Sequence, residues 1–226
     1  MRNNKIISLL LIAVLVASVF MLNSCDVINQ FVGGGKPSGN GTGTYTFEAE
    51  YIDLSDVQGA GESSSQGGVQ MIYGNGESDK SKGWSEGYYV GYTYVANLKL
   101  DFNFESDADA KATVVLRLGS ELGNLMLTPD LFEVQLNGET VPYASLSLNG
   151  GTSLEDMKFY DLVVNTNANV KAGENTLSLI VRDNKLVAGE RVGAPCIDCV
   201  KITTSANLTW TPKTDNPENR GNTDLD

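Results

Sequence analysis

The sequence predicts an all-β protein, an antiparallel β-sandwich of the jelly-roll kind. Three observations lead there. Apolar and polar residues alternate with a period of two in one run after another. Turn-forming residues separate the runs, among them Asn137-Gly138, Asn149-Gly150-Gly151 and Ala172-Gly173-Glu174-Asn175. No segment holds a 3.6-residue apolar period through three capped turns; Thr152 to Met157 is the nearest, long enough for one helical turn.

The chain begins with a targeting segment. Arg2 and Lys5 precede Ile6 to Leu22, an apolar stretch of about 17 residues interrupted only by Ser8 and Ser18. That is short for a hydrocarbon core of ~30 Å, and the basic flank reads as a signal peptide. Leu22-Asn23-Ser24-Cys25 resembles a bacterial lipobox, although Asn23 is unusual at its place. The resemblance implies removal of residues 1–24 and lipidation of Cys25; the alternative is an incidental cysteine near a signal anchor. Several acyl chains on one Cys give firm attachment at ~0.8 kcal/mol per buried CH₂. The membrane is then a partner through the lipid, at the cell membrane or outer surface.

Residues 25–44 form the next piece, the lipidated Cys and a Gly-rich linker containing Gly33-Gly34-Gly35, Gly39, Gly41 and Gly43. Such composition makes a flexible tether with an average reach of roughly 25 Å. The folded domain is expected over 45–210, and the polar, Pro-bearing residues 211–226 as a disordered tail.

Within 45–210 each strand has its own alternation. Leu98, Leu100, Phe102 and Phe104 share one face, as do Val114, Leu116 and Leu118, and Phe132, Val134 and Leu136. Asn137-Gly138 then supplies the favoured two-residue hairpin turn. Tyr160, Leu162 and Val164 follow, then Leu177, Leu179 and Val181, then Val200 and Ile202. Ile180 breaks the alternation, which predicts a strand buried on both faces. The total is about eight strands around one core, as in a sandwich.

Composition narrows function. The net charge is −12, with 16 basic and 28 acidic residues. No positive surplus exists to neutralise phosphates, so nucleic acid is not an expected partner. There is no His. That excludes Ser-His-Asp and Cys-His catalysis and His-ligated metal centres.

Cys196 and Cys199 are three apart on a predicted strand, ~10 Å apart and on opposite faces. A disulfide needs Cα atoms ~4.4–6.8 Å apart. Unless the strand breaks at Pro195, the spacing therefore predicts two unpaired thiols, at least one of them buried; a zinc site would need more ligands, and there is no His or second Cys-x-x-Cys pair.

Phe47-Glu48-Ala49-Glu50, Gly87-Tyr88-Tyr89-Val90-Gly91-Tyr92, Leu131 to Thr140 (LFEVQLNGET), Asn169 to Leu177 (NVKAGENTL) and Ile197-Asp198-Cys199-Val200-Lys201-Ile202 occur in that order. Together the set resembles carbohydrate-binding modules of families 6 and 35. The resemblance implies a galactose-binding-like jelly roll and a structural calcium held by Glu48, Glu50 and Asp198. Two Glu spaced by two on a strand point to one face, opposite Phe47 and Ala49, and clustered carboxylates suit a cation that takes 6–8 oxygens. A solvated acidic strand face is the other reading of those residues. Backbone ligands from the Lys82–Glu86 loop are a further expectation.

For the glycan site the resemblance implies an aromatic after the Val-Gly pair, Tyr92 here, and a second aromatic ahead of the NVKAG strand, Phe159 or Tyr160. Aromatic rings stack on sugar C–H faces while polar groups read hydroxyls. An Asn is expected just before the Ile-Asp pair, but Pro195 and Cys196 stand there; Asn184 is the candidate substitute. Trp84, in a polar Gly-rich loop, is either a plug over the sandwich end or a stacking platform.

Three functions are in view: non-catalytic polysaccharide binding, with a separate glycan-degrading enzyme as a candidate partner; a structural or adhesive lipoprotein whose jelly roll no longer binds sugar; and a small glycosidase or polysaccharide lyase using paired carboxylates.

Overall fold

The computed structural model describes residues 41–52, 54, 57, 70–73, 88–91, 93, 96–120, 124–150, 157–182, 186–187, 190–191 and 195–210. Among them the protein is built from strands, with a single 3₁₀ turn at Ala49–Tyr51. No helix among the described residues is long and apolar enough to cross a membrane. The segment around Cys25, residues 152–156 of the expected helical turn, and the tail beyond Trp210 lie outside the described residues.

The strands are β1 (Gly43–Glu48), β2 (Gln70–Tyr73), β3 (Tyr88–Gly91), β4 (Leu98–Ser106), β5 (Ala110–Gly119), β6 (Leu125–Leu127), β7 (Phe132–Leu136) and β8 (Glu139–Thr140). They continue as β9 (Leu146–Leu148), β10 (Phe159–Val170), β11 (Gly173–Val181), β12 (Leu186–Val187), β13 (Glu190–Arg191), β14 (Cys196–Thr204) and β15 (Leu208–Trp210). One antiparallel sheet has the order β10-β5-β14-β3-β2, with β1 also on β14. The other has the order β15-β4-β11-β7-β8. β6 pairs with β9, and β12 with β13, as small separate ribbons. There are more strands than expected because β1 and β3 divide one edge of β14 and short strands finish the sheets. β1 starts at Gly43, two residues inside the stretch read as linker, with Thr44 Oγ1 and Thr203 Oγ1 2.8 Å apart.

The alternating residues turn inward as their period dictates. Leu98, Leu100, Phe102 and Phe104 of β4 meet Ala112, Val114, Leu116 and Leu118 of β5 in one core. Phe47 of β1 stacks on Phe104 of β4 at 5.3 Å, joining the two sheets, and Trp210 closes over Phe47 at 5.4 Å. At β11 the predicted double burial is observed: Ile180 and Ser178 are buried on the face opposite Leu177 and Leu179. Asn137-Gly138 forms the two-residue hairpin turn, both residues at positive φ (56° and 77°), the backbone that an Asn-Gly turn of this type requires. Leu125 and Leu127 are buried while Met126 points outward.

Candidate functional site

The acidic residues singled out in the sequence come from both ends of the domain. β1 lies antiparallel to β14, placing Phe47 opposite Val200 and Glu48 opposite Cys199. Phe47 and Val200 fill the core. Glu48 and Cys199 therefore share the other face of the sheet. Glu48 is buried there nonetheless, as are Asp198 and Cys199.

A β-bulge explains how Asp198 joins them. Along β14, Ile197 pairs with Leu118 and Cys199 with Arg117, so Asp198 is an extra residue without its own place in the register. An inserted residue resets the in-out parity of a strand. Ile197 and Val200, three apart, can then both enter the core. Cys196, opposite Gly119, and Cys199, opposite Arg117, consequently lie on the same face. This corrects the expectation of opposite faces, which assumed an unbroken strand. No disulfide joins the two, and both are buried.

One ligand atom each from Glu48, Asp198 and Cys199 lies within 4.8 Å of the others. Glu50 differs from its expected place. β1 ends at Glu48, and the chain turns into the 3₁₀ segment, closed by the Ile52 N–H donating to the Ala49 carbonyl at 3.3 Å. Glu50 is thus not two along a strand from Glu48. It is fully buried in the turn beside β14 and does not join the trio.

The charge around the trio is arranged in a chain. The Arg117 Nε is 3.2 Å from Asp198 Oδ2, and its Nη1 donates to Asp161 Oδ1 at 2.7 Å. Lys201 Nζ donates to both oxygens of Asp161, at 3.1 and 2.9 Å. Burial works against the charge on Arg117, yet Asp161 and then Asp198 outweigh it and raise its pKa above the usual arginine value. Burial would raise the Asp161 carboxyl, but the Lys201 and Arg117 hydrogen bonds prevail and lower it. Nothing in the residue pattern singles out Arg117 as part of this site. The usable signal was the Ile197–Val200 spacing, because two core residues three apart require an extra residue between them.

Two of the described stretches expected near the sugar site, at Phe159 and at Cys196, meet at one end of the six-stranded sheet. Phe159 and Cys196 both pair with Gly119, side by side across β10, β5 and β14. Thr93, next to Tyr92, donates its hydroxyl to the Pro195 carbonyl at 3.0 Å. Tyr92, Trp84, Asn184 and the Lys82–Glu86 loop lie outside the described residues. Tyr160 is half-buried and packs on the core. Phe159 is corrected: its ring lies 5.2 Å from Tyr89 and is 6% exposed. It packs there because Gly119 leaves room; a Cβ on Gly119 would come within 3.2 Å of the ring. A ring closed in this way offers no open face to a sugar.

No family model matches the sequence, and no curated protein matches it. Solved structures do. A GH26-CBM35 β-(1,4)-mannanase from Podospora anserina is similar over 76% of this chain, at 17% identity and a TM-score of 0.45; the chain spans 29% of that protein's length. A family 35 carbohydrate-binding module from Clostridium thermocellum is similar over 71% of this chain and 97% of its own, at 15% identity and a TM-score of 0.42. A family 35 module from an environmental isolate gives 75% and 99%, 13% identity and 0.45.

Proposed function

We propose that the chain is a non-catalytic polysaccharide-binding module, held at an extracytoplasmic membrane surface by a lipid on Cys25 and stabilised by a structural divalent cation. Calcium is the ion that the motif resemblance implies. The convergence of Glu48 and Asp198 carries the reading. They come from the first and last long strands of the domain, yet their carboxylates meet in the same buried cluster. Burying carboxylates together is costly unless a cation compensates them. The donor chemistry fits in part. Glu48 and Asp198 provide oxygens, and Glu50 stands in the adjoining turn. Calcium bound there would neutralise the acids and tie β1 to β14.

The carboxylates do not favour an enzyme. A glycosidase pair flanks its substrate bond from a cleft, whereas Glu48 and Asp198 are 6% and 0% exposed. One observation favours the second reading, a structural or adhesive lipoprotein. Cys196 occupies the place of the expected Asn and is buried, so it offers sugar no hydroxyl-reading group.

The test uses the full chain carrying Cys25→Ser in detergent, screened on a polysaccharide array with calcium and with EDTA. Binding to a defined glycan, lost in Tyr92→Ala while the melting curve is retained, supports the module reading. A calcium-raised melting temperature with no glycan bound moves the conclusion to the adhesive reading. No calcium response removes the cation from the proposal.

A further inference from the structure

We propose that Cys199 makes the cation site a mixed oxygen–sulfur site, so that it takes a thiophilic divalent ion of the zinc class in preference to calcium. The inference rests on the reading of a cation beside Glu48 and Asp198, and it names the ion by the third donor. That donor is a sulfur. The carboxylate oxygens of Glu48 and Asp198 and the Cys199 sulfur lie within 4.8 Å of one another. Points within that limit have a common centre no more than about 2.8 Å from each, so a small inward movement of the side chains brings all three to the Zn–O and Zn–S lengths of ~2.0–2.3 Å. Three protein ligands with a fourth position left open is a common zinc arrangement. Thiolate selects zinc-like ions, whereas calcium prefers oxygen alone.

Two separate features point to the same place. The bulge at Asp198 turns the Asp198 carboxylate and the Cys199 sulfur toward Glu48 together; an unbulged strand would send the neighbours to opposite faces. Arg117 Nε also holds Asp198 through Oδ2 at 3.2 Å. A hydrogen-bonded second layer of this sort orients ligating carboxylates. Binding exchanges the Cys199 S–H bond for a sulfur–metal bond, and the displaced proton passes to solvent.

The experiment uses the full chain with Cys25→Ser in detergent, stripped of metal, and Co²⁺ as the spectroscopic probe. A sulfur-to-cobalt charge-transfer band in the near ultraviolet is expected. It persists in Cys196→Ser and disappears in Cys199→Ser. Zn²⁺ raises the melting temperature of the parent at lower concentration than Ca²⁺ does, and its affinity falls at least about 10-fold in Cys199→Ser, the scale of losing even a second-layer partner. A cobalt band that survives in Cys199→Ser overturns the assignment. A melting temperature raised by Ca²⁺, with no cobalt–sulfur band, overturns sulfur ligation and leaves the calcium reading standing. No response to any of these ions overturns both.

Discussion

Arg117 and Asp198 meet across β5 and β14, Nε to Oδ2 at 3.2 Å, and the Asp198 side chain is wholly buried while Arg117 keeps 21% exposure. The pair is the inner link of a chain that runs outward through Asp161 to Lys201. Removing the guanidinium leaves a buried carboxylate without this cation. Arg117→Met is therefore expected to lower stability by about 3–5 kcal/mol, read by urea denaturation in metal-free buffer at pH 7. Asp198→Asn added to Arg117→Met recovers part of the loss, because the two side chains are coupled. Equal, additive losses would show that the contact contributes little.

Asn175 is only 2% exposed and acts as a staple at the β10–β11 connection. Its Oδ1 accepts from the Lys171 N–H at 3.0 Å and from Asn137 Nδ2 at 2.9 Å. Its Nδ2 donates to the carbonyls of Lys171 and Gly173. Asn175→Ala strands backbone groups, at a cost of about 1–3 kcal/mol. Faster amide exchange at Lys171 accompanies the loss; unchanged exchange would refute the staple.

Glu133 governs part of the acid response. Hydrogen bonds from Thr140 and Gln135 lower its pKa most; burial opposes them and Arg182 adds to them, taking it from 4.5 to about 2. The folded value lies below the unfolded one. Its contribution is therefore full above pH 4.5 and is lost as pH falls toward 2. Glu133→Gln should be less stable than the parent at pH 7, with the gap narrowing through that window. A gap constant from pH 7 to pH 2 would contradict the assignment.

Trp210 covers Phe47 at 5.4 Å and meets Tyr51 edge-on at 6.0 Å. Trp210→Ala uncovers that edge of the core, with an expected loss of about 3 kcal/mol and greater protease sensitivity at β1. A melt within a degree of the parent would show that the ring is ornamental to stability.

Much of the sandwich was legible because its strands obey the period-two rule and its turns use the residues that their backbones need. The Asn137-Gly138 turn and the NVKAGENTL segment, separate motifs in the sequence, touch in the fold. Asn137 donates to Asn175, and the Thr176 N–H donates to Asn137 Oδ1 at 2.9 Å. Their role in the fold is to pin β7 against β11. The candidate cation site was half legible. Glu48 and Asp198, which belong to separate motifs, lie in one buried cluster. Glu50 departs because the strand stops one residue after Phe47, a hydrogen-bonding event that alternation does not record. Cys199 and Arg117 were hidden because the bulge shifts facing without changing composition.

The first strand, β1, lies against the last residues of the domain. Gly43 pairs with Thr204, Tyr45 donates its hydroxyl to the Ala206 carbonyl at 3.2 Å, and Trp210 lies on Phe47. The polypeptide thus begins and finishes the domain along one seam. A domain with adjoining ends tolerates circular permutation and insertion into a host loop. The practical consequence is modularity: a short peptide bridging residues 43 and 210 would allow new termini to be opened at the Asn137-Gly138 turn. The rejoined molecule would keep every sheet pairing except the one severed at that turn.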